Sequence, residues 1–304
     1  MSWQAWALGA AFRVFLKRQS DKPLNLPLLR ASMRNPPRRA LRIPEDISVT
    51  PHRTESGLDF EVVDRKHASQ PTPAALVLYL HGGGYFYGSP RTHRQALIGM
   101  ARAVAAPVWG LDYRLAPEHP FPAAVEDAVA AYRWLAAAYP HARILLAGDS
   151  AGGGLAIVTA LEVVAAGLPP PAGIVAFSPW TDLAATGASV DTNARSCAMF
   201  RPDGLRRAAD VYLAGHDPRD PRASPLYGDL AALPPMLLFA SRHELLADDT
   251  LRLVDRAKAA GVAVELVLRD RLLHVWPIFV HLLPEAREAM HDVTAFARRI
   301  GLRA

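Results

Sequence analysis

Ile144-Leu145-Leu146-Ala147-Gly148-Asp149-Ser150-Ala151-Gly152-Gly153 is the stretch that decides how this chain folds. Its four leading apolar residues read as a buried strand. The pentapeptide Gly148–Gly152, centred on Ser150, reads as a sharp turn from that strand into a helix. Glycine stands two residues before and two after Ser150 because such a turn brings backbone too close for a Cβ. A strand that feeds a helix in this way belongs to an α/β layer architecture.

Outward from this unit, short β-rich runs alternate with helical patterns. Strands are expected at 58–63, 76–80, 108–112, 144–147, 173–177, 236–240 and 264–268. Parallel neighbours need crossovers, and helices are expected at 92–104, 123–138, 152–166 and 249–260, with a closing helix at 284–300. The result is a mainly parallel sheet with helices on both faces. Two segments break the alternation. One is 1–45, helical at first and then interrupted by Pro36, Pro37 and Pro44; the other is 182–227, rich in Arg, Asp and Pro. Together they are material for a small helical cap over the carboxyl ends of the strands, where α/β sites lie. The core is then 46–181 and 228–304.

At 304 residues and 51% hydrophobic composition the chain can bury a large core, and disorder is not expected. Its net charge is +5, but the basic residues are scattered, with lysine only at positions 17, 22, 66 and 258. Without a basic run or patch, no nucleic-acid partner is expected. A single cysteine, Cys197, excludes an internal disulfide and favours the cytoplasm. It has no glycine-rich turn around it and is not read as a nucleophile. The stretch Met1–Lys17 carries Trp3, Trp6, Leu8, Phe12, Val14, Phe15 and Leu16, with Arg13 interrupting them. It lacks the layout of a signal peptide and is too short to span a bilayer. The expectation is an amphipathic helix packed on the body of the protein, with attachment at a membrane interface as the alternative and no stable membrane insertion.

Acyl transfer at a serine needs a base, a carboxylate that orients it, and donors for the oxyanion. His81-Gly82-Gly83-Gly84 follows the strand at 76–80, and the N–H groups of Gly83, Gly84 and Ala151 are the candidate oxyanion donors. A phosphate cradle is the competing reading of the glycines, but no Lys-Ser/Thr follows them. His274, a short loop after the strand at 264–268, is the candidate base, whereas His281 and His291 read as surface or packing residues. His81 is expected to brace the glycine loop. Of the carboxylates after the strand at 236–240, Glu244 lies nearest the strand end. Asp248 and Asp249 read as the cap and first turn of the next helix, with Asp248 the alternative acid. Tyr85, Phe86 and Tyr87 fit either a pocket wall or the core.

His81-Gly82-Gly83-Gly84, Tyr113-Arg114-Leu115-Ala116-Pro117-Glu118, Gly148-Asp149-Ser150-Ala151-Gly152-Gly153 and His274-Val275-Trp276 together resemble the hormone-sensitive-lipase-like family of α/β-hydrolase carboxylesterases. The resemblance runs from about residue 45 to the C-terminus. It implies an eight-stranded, mainly parallel sheet with a helical cap and a triad of Ser150, Glu244 and His274. It also implies no cofactor and no metal, and a small-molecule ester substrate of short to medium acyl length. A lactone hydrolase or a deacetylase is the alternative within the family. A non-catalytic binding homologue is disfavoured because Ser150 and His274 are both present. In the same way Glu118 is expected to hydrogen-bond the glycine loop or the turn at Ser150, and Asp149 to brace that turn. A homodimer is compatible with the sequence. The departure is Glu244-Leu245-Leu246 where the family commonly has Asp-Pro-Leu; a glutamate serves the same role one methylene longer.

Overall fold

The computed structural model describes residues 1–17, 26–27, 30–31, 42–66 and 73–303. The described elements run α1 (Trp3–Phe15), β1 (Ile47–Arg53), β2 (Asp59–Arg65), β3 (Ala75–Leu80), α2 (Arg94–Val104), β4 (Val108–Leu111), α3 (Ala123–Ala138) and β5 (Arg143–Asp149). They continue with α4 (Ala151–Ala165), β6 (Gly173–Phe177), α5 (Ser189–Thr192), α6 (Pro202–Leu213), β7 (Met236–Ser241), α7 (Ala247–Ala259), β8 (Val264–Arg269) and α8 (Pro284–Arg299). One eight-stranded sheet has the order β1-β2-β4-β3-β5-β6-β7-β8. The β1–β2 and β2–β4 pairs are antiparallel, and all others are parallel.

The period of two along each strand sends alternate side chains to opposite faces, and both faces are covered. Leu76, Leu78, Leu80, Leu146, Ala176 and Leu238 join the side chains of α3, α4 and α7 in one core. Val77, Tyr79, Leu145, Ala147, Val175 and Phe177 join those of α2 and α8 in the other. The seven strands read from the sequence are all present, within two residues at each end. The reading from residue patterns missed β1, an edge strand whose burial is patchy and which contains Pro51. Proline is tolerated on an edge because no neighbour asks for its missing N–H.

The chain between β6 and β7 adds no strand; it carries α5, α6 and a 3-10 turn at Pro225–Tyr227. Tyr212 of α6 stacks on Tyr85 at 3.8 Å, which places Tyr85 in the core and not at an open wall. Pro36 and Pro37 of the N-terminal stretch lie outside the described residues. Helix α1 is present and packs inward through buried Ala5 and half-buried Leu8 and Phe12. Its outer side is also apolar: Trp3 is 75% and Trp6 65% exposed. Among the described residues no helix is long and apolar enough to cross a membrane.

The turn between β5 and α4 is packed backbone to backbone. A Cβ on Gly152 would lie 2.1 Å from the Leu80 carbonyl oxygen and 2.4 Å from that of His81. Gly152→Ala gains helix propensity but forces the end of β3 away from α4, so the net effect is expected to be a destabilisation of about 1–3 kcal/mol. Urea unfolding of the variant measures this. Unchanged or higher stability would contradict the close approach of β3 to α4.

Candidate active site

Ser150 sits at the carboxyl end of β5 with φ +53° and ψ −122°, a region that a non-glycine residue occupies only when its surroundings compel it. Its N–H donates to the Phe177 carbonyl at 2.9 Å and its carbonyl accepts from Trp180 N–H at 2.9 Å, so the strained turn is held against the end of β6. The side chain is left half-buried at the first turn of α4. His274 follows β8, and its Nε2 lies 2.9 Å from Ser150 Oγ. Its Nδ1 lies 2.6 Å from Glu244 Oε2. Glu244 is 1% and His274 3% exposed. The other carboxylate oxygen, Oε1, accepts the Ser241 N–H at 2.8 Å, which fixes the carboxylate plane. Three side chains from three strand ends thus form one hydrogen-bonded chain.

The other two candidate acids are engaged elsewhere. Asp248 Oδ2 accepts the Ser189 N–H at 2.9 Å, and Asp249 Oδ2 accepts the N–H groups of Thr181 and Asp182 at 2.8 and 2.9 Å. Both stand in the first turn of α7, as read for Asp249, but neither caps it, because the helix begins two residues earlier than expected and its cap position is Leu246. Both carboxylates instead satisfy backbone donors of the segment after β6.

The glycine loop lies at the end of β3, beside β5. Gly83 and Gly84 have φ of +123° and +60°. The Gly83 carbonyl accepts the N–H groups of Phe86 and Tyr87, both at 3.1 Å, and so points into the loop. In a trans peptide the N–H opposes the C=O, so Gly84 N–H faces outward. The N–H groups of Gly83, Gly84 and Ala151 have no acceptor among the described residues.

Asp149 ties this loop to the serine turn. Its Oδ1 accepts Tyr79 OH at 2.8 Å and Gly82 N–H at 3.1 Å, and its Oδ2 lies 3.4 Å from His93 Nε2. Burial alone pushes the Asp149 carboxyl up, but the His93 ring and the bonds from His93 and Tyr79 outweigh it and hold the group below the usual carboxylate range. Burial in turn pulls the His93 ring down, and Asp149 together with the Ser89 carbonyl more than reverses this, leaving it above the ordinary imidazole value. His81 lies within the glycine loop. It stacks on Tyr113 at 4.2 Å, places Nδ1 2.7 Å from the Gly82 carbonyl, and is driven by burial to a pKa of about 3, so it is neutral.

Glu118 does not contact the loop or the serine turn, a correction to the expectation above. Its side chain is 57% exposed and pairs with Arg30 at 2.6 Å, which holds its carboxyl down at about 2. Arg30 itself donates to the Phe86 and Ala116 carbonyls at 2.8 and 2.7 Å. Glu118 is too solvated to reach inward and acts on the loop's exit only through this cation. A cavity of about 420 Å³ bordered by Arg30, Ser89, Asp112 and Glu118 contains none of the Ser150, Glu244 and His274 side chains.

Four contributors escaped the sequence reading. Ser178 Oγ accepts Val275 N–H at 3.1 Å, and Ser241 Oγ donates to the Leu272 carbonyl at 2.8 Å. These two serines grip the His274 loop on either side, and their only signal in the sequence is position at a strand end. His93 supports Asp149 from the start of α2. Phe200, from the segment between β6 and β7, meets the His274 ring edge-on at a centroid distance of 5.1 Å.

Residues 77–278 match a family described as having the alpha/beta hydrolase fold. The chain is similar to an acetyl-hydrolase of Streptomyces hygroscopicus, 47% identical over 223 residues that span 73% of this chain and 75% of the relative. Among solved structures it resembles EstE5, with a TM-score of 0.90 and 39% identity over 99% of both chains. It also resembles an esterase from the bacterial hormone-sensitive lipase family, with a TM-score of 0.88 and 40% identity over 99% of both chains. The fold, the family match and these relatives agree: the chain belongs to the hormone-sensitive-lipase-like esterases of the α/β-hydrolase fold.

Proposed function

We propose that this protein is a carboxylesterase that hydrolyses small esters of short to medium acyl length through Ser150, His274 and Glu244. The observation that carries the reading is the unbroken chain from Ser150 Oγ through His274 to Glu244, at 2.9 and 2.6 Å. His274 Nε2 takes the Oγ proton as Ser150 attacks the ester carbonyl, and Glu244 holds the ring in the correct tautomer and stabilises the imidazolium. The tetrahedral oxyanion is received by the N–H groups of Gly83, Gly84 and Ala151. Collapse expels the alkoxide, which leaves as the alcohol with the proton from His274. Water, deprotonated by the same ring, then attacks the acyl-enzyme and releases the acid. Asp149, His81 and Gly82 act by holding the glycine loop against the serine turn.

In this reading the cap is formed by 182–227 together with the described residues of the stretch 1–45, the rest of which lies outside the described residues. Support comes from Arg13 and Lys17 of the first segment, which donate to carbonyls of residues 194–197 in the second. Phe200 of the second lies on His274. A cap over the site favours compact substrates, and the acetyl-hydrolase name of the Streptomyces relative fits a short acyl group. The single cysteine agrees with a cytoplasmic enzyme. The outer edge of β8, the last strand of the sheet, is where a homodimer would pair.

Glu244→Gln keeps the shape and removes the charge, so kcat should fall about 10²–10⁴-fold, whereas Asp248→Asn should cost less than about tenfold in rate. Steady-state kinetics with thermal melts on both variants checks this. A larger loss of kcat in Asp248→Asn at equal foldedness would mean that the acid is misassigned. A second expectation concerns substrate size: turnover of p-nitrophenyl butyrate should exceed that of emulsified triolein. A higher rate on the emulsion would rule out a cap that selects compact esters.

A further inference from the structure

Helix α1 touches the site from two directions. Along its length it packs on the histidine loop: a Cβ on Gly9 would lie 3.6 Å from Leu273, the neighbour of His274, and Phe12 meets Phe279 at 5.8 Å. Beyond its last turn, Lys17 Nζ donates to the carbonyls of Ala194, Arg195 and Cys197 at 2.7, 3.2 and 2.7 Å. Arg13 adds a bond to the Ser196 carbonyl at 3.0 Å. An ammonium has three protons, and Lys17 has a backbone carbonyl within reach of each.

The loop so gripped is anchored on its other side by the acid loop. Asn193 Nδ2 donates to the carbonyls of Arg242 and Glu244 at 2.8 and 2.9 Å, and Ser196 Oγ donates to that of His243 at 3.2 Å. Cys197, Ala198 and Met199 are then buried, and the next residue is Phe200, edge-on to the His274 ring. With both anchors in place the chain has little freedom in where it delivers Phe200.

We propose that Lys17 is a positioning residue that sets the enzyme's selectivity for the alcohol part of the ester, acting through Phe200. This rests on the ester hydrolysis proposed above. In that mechanism His274 delivers its proton to the leaving alkoxy oxygen, so the group closest to the histidine ring is the alcohol portion and not the acyl chain. A phenyl ring standing on that imidazole limits the bulk an alcohol can carry. The cation that fixes the loop fixes this limit. The bonds of Lys17 and Arg13 go to the 194–197 loop and not to the Ser150, His274 or Glu244 side chains, and the double variant below separates this route from the packing of α1 on Leu273.

The test measures kcat/KM for ethyl butyrate and cyclohexyl butyrate, two esters with one acyl group, in the full-length wild type, Phe200→Ala, Lys17→Met, Arg13→Met and the double variant Lys17→Met/Phe200→Ala. Phe200→Ala should move the cyclohexyl-to-ethyl ratio up about tenfold, the scale on which a hydrophobic wall discriminates. Lys17→Met should move it in the same direction about threefold, with Arg13→Met smaller, and Lys17→Met should add nothing in the Phe200→Ala background, because residues that act through one another are not additive. A general loss of packing would lower both substrates together and leave the ratio in place. The proposal is overturned if Phe200→Ala leaves the ratio unmoved, if Lys17→Met leaves it unmoved, or if Lys17→Met has its full effect without Phe200. Absence of turnover of ethyl butyrate by the folded wild type would instead strike at the esterase reading itself.

Discussion

A single buried carboxylate holds the site together. Asp149 is 2% exposed, precedes the serine in sequence, and binds the glycine loop through Gly82 N–H, the neighbouring strand through Tyr79 OH, and α2 through His93. Removing one partner from such a buried pair costs about 3–5 kcal/mol, because the charge left behind has neither water nor counter-charge. Its satisfaction by three different elements makes the relative position of the serine turn and the glycine loop a property of the core and not of two loops. Preorganised donors stabilise an oxyanion because they need not reorient as charge develops.

The parallel sheet does the remaining placement. β3, β5, β6, β7 and β8 run in one direction, so their carboxyl ends present the glycine loop, Ser150, Ser178, Glu244 and His274 at one edge. The close spacing of neighbouring strands brings these loops within hydrogen-bond reach only if each leaves its strand at the right angle. Positive φ at Ser150, Ser178 and Val275 supplies those angles. Such conformations cost of order 1–3 kcal/mol each and persist where surrounding bonds over-determine them. Here those bonds are Ser178 Oγ to Val275 N–H, Ser178 N–H to the Phe239 carbonyl at 2.7 Å, and Ser150 N–H to the Phe177 carbonyl.

Much of this was legible in the sequence, and the divide is physical. The central strands were readable because burial on both faces demands continuous apolar runs, and the serine turn because backbone contact demands glycine at fixed offsets. Glu244 stands out in sequence by its place just beyond a strand end, and the structure sets its Oε2 2.6 Å from His274 Nδ1. β1 was not, since an edge strand with Pro51 needs neither an apolar run nor a full set of donors. Asp248 and Asp249 looked like helix-capping residues because capping is the commonest local use of such a pair; their true partners are backbone N–H groups about sixty to seventy residues away. Glu118 misled for the same reason, its partner Arg30 being 88 residues distant. Beyond the place of the two serines at strand ends, Ser178, Ser241 and His93 carry no local signature, because each matters only through a neighbour that tertiary folding supplies.

The central claim is that Ser150 is the nucleophile and that its reactivity comes from this fixed surround. The most direct measurement is covalent capture: treat the native protein with a fluorophosphonate, digest it, and locate the adduct by mass spectrometry. The account predicts one equivalent of label on the peptide containing Ser150, and none after unfolding in urea, when His274 and Glu244 no longer stand behind the hydroxyl. Label on another residue of the native protein, or equal labelling of Ser150 in the unfolded chain, would contradict it.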